Sequence, residues 1–452
     1  LVLAAAASGG GGLDSAATIA LMSIDNLSDG KWVNAQENLG LGANSIGNVN
    51  VSALGNHAFG KNTLVCVTSG NYNIAFGLDA GRYITTAGCN IGIGQQAVAG
   101  GNGNIAGIGS NNVGVGNLSL KSITSGGCNT AVGSDALCSN TIGHNNVGLG
   151  AWALQSSTTG HDNVAVGKGA LTNSTVGGYN VVVGSTAAQN SVTGSYNVVI
   201  GRNARLNAQG GDNNIVIGNQ AMEGSGTLGT NCQTIIGYRA MMVGTTGCFN
   251  VAVGACALYG TRSASCNTAV GTHALKMNKG CCNSALGMNA ACSNTTGYAN
   301  TAIGWEALKT NTIGSFNSAF GQGALGANIT GCQNVAVGQG ALGSNTIGIN
   351  NTIIGTSALY SNTTGSCNVT VGWRSGYNNT TGYQNTTVGY QAGCTISTGR
   401  NNIVLGYNAQ ATSATTSNEI TLGDAGIATL RVPGLQAGAT SGHIMCYNGT
   451  SL

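Results

Sequence analysis

Charge is what this sequence has least of: 27 of its 452 residues, 15 Lys+Arg against 12 Asp+Glu, where soluble domains carry about 25%. A catalytic centre needs acids, bases and nucleophiles gathered in one place, so this composition argues against an enzyme. The net charge of +3 is small and scattered. Nucleic-acid binding needs clustered Lys and Arg to displace counterions from phosphates, and no basic stripe exists. Proline occurs once. The longest apolar stretches, such as Leu1 to Ala7, fall well short of the ~20 residues that span a bilayer, so no membrane insertion is expected. Leu1 stands where an initiator Met would, and we read the chain as a processed or partial product. The 15 Cys are odd in number and match no paired C-x-x-C zinc pattern. Neither a metal nor a cofactor is expected.

Glycine is abundant instead, at 77 residues, and it is periodic. A five-residue core of Asn, any residue, a usually small residue, an apolar residue and Gly recurs 22 times from Asn38 to Gly406. The step is 17 residues in nearly every case. It departs from 17 at an insertion around Gly101 to Gly109, in a 19-residue step into Gln233, and in one-residue slips after Asn38, Asn267 and Asn402. Such self-similarity marks a stacked repeat architecture.

Numbering the unit from its Asn, position 1 is Asn in 21 copies, among them Asn129, Asn146, Asn163, Asn180, Asn300, Asn317 and Asn334. Position 5 is Gly in all 22, for example Gly133, Gly150, Gly167, Gly304, Gly321 and Gly338, and position 8 is Ala in 18. Positions 2 and 4 are often β-branched and share one side of a short strand, while positions 3 and 5 share the other. Neither side is polar, and a strand of that kind is buried on both faces. One face should line the coil's interior and the other should pack closely against a second copy of the chain. The second half of the unit, as in Ser293-Asn-Thr-Thr-Gly297, has turn composition. Two strands of ~4 to 6 residues and two turns fill a 17-residue coil of an all-β parallel solenoid. A helix is excluded by glycines costing ~1 kcal/mol each relative to Ala and by the wrong apolar period.

Stacking about 22 such coils at ~4.8 Å implies a rod of roughly 100 Å, a spacer by geometry. The Asn column reads as a structural amide ladder, and the position 5 glycines as turns. From Asn180 to Gly237, position 3 enlarges to Val182, Val199, Val216 and Ile235, so the rod should widen or repack there. We divide the chain into an N-terminal connector or attachment segment (1–37), the repeat shaft (38–417), and a C-terminal exit segment (418–452) where the pattern degrades and the only Pro occurs, between Thr429 and Gly434.

Units such as Asn129-Thr-Ala-Val-Gly-Ser-Asp-Ala-Leu and Asn300-Thr-Ala-Ile-Gly-Trp-Glu-Ala-Leu resemble the repeats of bacteriophage tail fibres, and they are similar to the head repeats of trimeric autotransporter adhesins. The resemblance implies a left-handed parallel β-roll and a homotrimer. Ser23 to Gly30 resembles the lead-in to such fibre arrays, and Asn418 to Arg431 resembles the exit that precedes a C-terminal tip or chaperone domain. The chain is therefore expected to be a structural and adhesive fibre shaft on the virion surface. Its expected partners are its own copies, a virion or tail attachment protein at the N-terminal end, and a host surface glycan or receptor. The alternatives are a bacterial cell-surface adhesin or extracellular filament subunit and, less favoured, a polysaccharide-degrading tailspike.

Few residues offer chemistry. A tailspike glycosidase needs two carboxylates a few ångströms apart, whereas Asp79, Asp135 and Glu306 occupy position 7 of coils that are not neighbours. His144, His161 and Asp162 lie near one turn but lack the further ligands a metal requires. Aromatics recur at position 6, at Tyr238, Trp305, Trp373, Tyr390 and Tyr407. Trp305, Trp373, Tyr390 and Tyr407 are the candidates for glycan contact, set against simple ladder stacking, which we favour. Cys89, Cys128, Cys232, Cys266, Cys282 and Cys367 directly precede repeat starts, and Cys138, Cys292 and Cys394 hold position 10. Small hydrophobic thiols need no special role there, although the neighbours Cys266 and Cys282 are placed to crosslink. Asn-x-Thr triplets such as those at Asn294 and Asn362 arise automatically from a Thr-rich repeat and signify glycosylation only along a secretory route.

Overall fold

A computed structural model describes residues 30–33, 37–46, 52–101, 107–224, 231–244, 246–427, 446–447 and 450–451. Among these, all regular structure is β. Strand β1 (Gly30–Val33) runs antiparallel to β2 (Asn38–Leu41) and covers the first edge of a 24-stranded sheet. From β2 through β3 (His57–Phe59) to β24 (Ile420–Leu422) every pairing is parallel and joins successive coils. Partners occupy the same repeat position one coil on, as in Thr130 with Val147 and Ala131 with Gly148. The chain is thus a parallel β-solenoid, and at ~4.8 Å per rung its length is on the order of 100 Å. A small hairpin, β25 (Cys446–Tyr447) with β26 (Thr450–Ser451), lies beyond the stack. Most of the connector 1–37, all of Ser23 to Gly30 except Gly30, and Thr429 to Gly434 lie outside the described residues.

The expected two strands per coil are corrected to one. It is three residues long in nearly every coil and occupies positions 2 to 4. The reason is local conformation: positions 7, 9 and 17 are left-handed, as at Asp135 (φ 56°), Leu137 (φ 52°) and Asn145 (φ 57°), which breaks any extended run after Gly. These L residues give up roughly 1–2 kcal/mol each in intrinsic preference. What they gain is a backbone paired along most of the coil. In alternation, amides reach the next coil, Leu137 to the Ala153 carbonyl (2.9 Å) and Ser139 to that of Gln155 (2.9 Å), or fold back within their own, Asn140 to Leu137 (3.1 Å).

The structure also tells the two strand faces apart at position 3. That position points inward. Ala131 is fully buried whereas Val132 beside it is 39% exposed, and the same buried middle residue with more exposed neighbours recurs from β3 onward as far as Asn402's coil. The interior is lined by Asn at position 1, Ala at 3 and 8, and an apolar residue, usually Leu, at 9. Val182, Val199, Val216 and Ile235 are fully buried inside the coil. Position 9 changes with them, from Leu to Ala188, Arg205, Met222 and Met241. Arg205 is the outlier: its guanidinium donates to Ser191 Oγ (2.9 Å) and to the carbonyls of Gly210 and Gly211. Burial lowers its pKa to about 10, against the pull of Asp212. The array also continues one rung further than the repeat count. Glu419 rather than Asn418 takes position 1, because Ile403 pairs with Ile420 and Glu419 N–H donates to Asn402 Oδ1 (3.0 Å).

Position 5 fixes the rung spacing. Gly304 has φ +129°, and a Cβ on it would lie 2.6 Å from the carbonyl carbon of Gly321 in the next coil. Both the backbone region and the contact exclude any side chain. Replacing Gly304 by Ala should cost roughly 2–5 kcal/mol. In a one-dimensional array that loss stays near its origin, so hydrogen exchange should accelerate in the adjoining coils and remain unchanged ten coils away.

Candidate functional site

The predicted Asn column exists along the whole stack. Asn129 Oδ1 accepts from both the backbone N–H (3.0 Å) and the Nδ2–H (3.1 Å) of Asn146, whose Nδ2 also donates to the carbonyl of Gly160 (2.8 Å). Asn163 and Asn180 repeat the three bonds, as do Asn300, Asn317 and Asn334. Gln233 keeps the column going by accepting from Asn250 N–H through Oε1 (3.1 Å). Buried amides need every partner, and repetition at one-rung spacing supplies them.

A second amide ladder escaped sequence reasoning. Asn294, Asn311, Asn328, Asn345, Asn362 and Asn379, at position 12, each donate Nδ2–H to the preceding Oδ1, starting from Asn278, at 2.7–2.9 Å. It ends where Ile396 takes the place of Asn, leaving Asn379 Oδ1 buried without a partner. The signal was the Asn that these coils share in segments such as Ser-Asn-Thr-Thr-Gly, which turn composition alone also explains. Asn294 and Asn362 are fully buried in this ladder, so their Asn-x-Thr triplets are closed to glycosylation in the folded rod.

The carboxylates remain apart. Asp79 pairs with Arg82 (3.2 Å) and Glu306 with Lys309 (2.8 Å), each inside its own coil, while Asp135 accepts from Ser134 Oγ. Three rungs, about 14 Å, separate Asp79 from Asp135, beyond the ~5–9.5 Å of a glycosidase pair. His144 and His161 stack at 5.2 Å, His161 meets Tyr179 edge-on, and Asp162 accepts from Asn145. Among the described residues no three metal-ligating side chains converge, and no helix is long and apolar enough to cross a membrane. Among the described residues no disulfide joins the cysteines from Cys66 to Cys394. Burial raises the pKa of Cys138, with Asp135 adding to the effect, and burial likewise raises that of Cys292 against the nearby lysines. Both are thereby held away from the nucleophilic thiolate.

The aromatic candidates divide into two kinds. Trp373 and Tyr390 stack at 4.7 Å and Tyr390 and Tyr407 at 5.2 Å, nearly parallel, and Arg374 lies 5.3 Å from the Trp373 ring centre. Those faces are largely occupied by one another. Tyr238 is covered by Arg239 at 5.1 Å. Trp305 differs, because its position 6 neighbours are Met288 and Gln322, and it borders a cavity of about 360 Å³ whose far wall is Tyr360.

Changing Asn300 to Ala should cost roughly 1–3 kcal/mol, since it leaves the buried Asn317 N–H without its acceptor, whereas the Gly314 carbonyl keeps its bond from Asn311 Nδ2. Hydrogen exchange at Asn317 is the readout. The double change Trp373→Ala and Tyr390→Ala should loosen its own coils by about 0.5–1.5 kcal/mol per lost stack while cell adsorption stays unchanged. Compared with protein-family models and with curated proteins, the chain matches none.

Proposed function

We propose that the chain is the stiff shaft of an adhesive fibre on a bacteriophage virion, in which sister copies, three by the resemblance of the repeats, cover one another's outward strand face. The observation that carries this reading is the outward column at position 4, apolar in all 22 coils and flanked at position 2 by an apolar residue in 13 coils and by Thr, Ser or His in the other nine. At position 4, Phe76, Val132, Ile200, Ile303, Ile354 and Val388 are each 37–44% exposed, and position 2 adds residues such as Val181, Ile215, Val369 and Ile403. At ~4.8 Å per rung the position 4 column runs on the order of 100 Å without a polar residue, a contiguous apolar surface of the kind that marks an interaction site.

A second copy is the natural cover. The strip repeats at rung spacing, so an identical surface matches it in period, and the low charge of the chain leaves little electrostatic repulsion to overcome. The work of such a fibre is mechanical and multivalent: a rod holds binding elements away from the particle, and several fibres raise the effective concentration at a host surface. This reading assigns the chain no catalytic step. An attachment protein at the N-terminal end and a receptor on the host complete it.

Light scattering on the purified chain should give three times the 44.6 kDa of one copy. Lysines placed at Ile303 and Val337 should drive the assembly toward single chains while the β signal in circular dichroism is retained. A monodisperse single-chain mass for the unaltered protein would end the proposal.

A further inference from the structure

The cavity beside Trp305 arises from side chains that two coils omit. At position 7, where other coils place Glu306 or Ser357, successive coils carry Gly323 and Gly340, and at position 10 they carry Gly326 and Gly343. A Cβ on Gly323 would meet nothing within 4 Å, and one on Gly340 would touch the Tyr360 ring, at 3.4 Å, and Ser357 Oγ, at 3.7 Å. The notch is closed on one side by Trp305 and on the other by Tyr360, three rungs or about 14 Å apart along the rod. Both rings are partly exposed, 45% and 40%; Tyr360 has one face stacked on Tyr377 at 5.6 Å, while Trp305 has no aromatic partner among the described residues.

Polar groups converge on the same space. Gln322 and Gln339 at position 6, Glu306, and Ser357 line the notch. Among the described residues the two glutamine side-chain amides have no hydrogen-bond partner, whereas Glu306 is paired with Lys309 at 2.8 Å. The lining therefore offers the unstacked indole of Trp305, the exposed part of the Tyr360 ring, amide donors and acceptors, and no uncompensated charge. A volume of about 360 Å³ sits at the small end of the range of about 300–1,000 Å³ for ligand sites. Apolar C–H faces flanked by hydroxyls are the chemistry that such a lining fits.

We propose that the notch between Trp305 and Tyr360 is a carbohydrate site, taking a neutral pyranose unit of a surface polysaccharide with its ring against the indole and its hydroxyls on Gln322 and Gln339. The proposal deepens the adhesive half of the fibre reading and rests on it. It moves the glycan contact from the Trp373–Tyr390–Tyr407 stack, whose ring faces are largely used, to Trp305. Sugar binding here would be weak per copy and strengthened by the number of copies on a particle.

The test uses the full chain on an array of bacterial surface polysaccharides, together with three variants. Trp305→Ala removes one wall. Gly323→Asn fills the notch with a residue that other coils carry at position 7 with positive φ, such as Asn203 (φ 54°) and Asn289 (φ 57°), so the backbone accepts it and folding is preserved. Trp373→Ala is the control. The expected result is retention of the unaltered chain on at least one neutral polysaccharide, at least a tenfold loss in both notch variants, and no loss in the control. Retention on no polysaccharide, or equal retention by Trp305→Ala and Gly323→Asn, would overturn the site. The scattering mass of the same samples reports the assembly separately, so a failed shaft and a failed notch give different signatures.

Discussion

Successive position 5 glycines meet backbone to backbone, and this contact governs where everything else in the coil can lie. With a Cβ on Gly133 placed 2.5 Å from the Gly150 carbonyl carbon, rungs stay at interstrand distance only while the column contains no side chain. Once the spacing is held, each residue sits directly over its equivalent, and columns replace individual contacts as the unit of stability. The Asn ladders depend on that: an amide at one-rung spacing finds both its donor and its acceptor in the copy below and the copy above. In an apolar interior built from Ala and Leu, those same amides would otherwise be costly to bury.

The coil's cross-section follows from small residues and left-handed corners. Ala at positions 3 and 8 leaves room for one Leu per rung, and left-handed residues at positions 7, 9 and 17 let the backbone turn three times while its amides remain paired. Each corner is locally unfavourable, and the cost is offset by bonds that exist only when a neighbouring coil is present. Such an array gains stability by addition of rungs. The antiparallel β1 covers one end of the sheet, in keeping with the need to shield an open edge.

Much of this was legible in the residues. The 17-residue step, the Asn column, the glycine at position 5 and the parallel solenoid all follow from recurrence, because a residue repeated 22 times in register must serve one place. What recurrence does not encode is direction. Ala131 and Val132 are both apolar, and only the turn geometry decides that the first is buried and the second faces outward. Leu137 gives no sign of a left-handed backbone, which ordinarily favours Gly or Asn, and for that reason a second strand was expected where a chain of corners stands. The position 12 ladder was hidden because Asn is equally at home in a turn. Glu419 was missed as the last rung since Asn418 imitates the repeat start one residue early. The notch needed knowledge of which side chains three rungs apart share an edge, and no single repeat contains that information.

The account's central claim is that the chain advances by one rung for each repeat, at right angles to the strands. Electron cryomicroscopy of the purified protein measures this directly. It should show a rod whose density is layered at about 4.8 Å along the long axis over roughly 100 Å. Separate compact lobes, or a body without that layering, would contradict it.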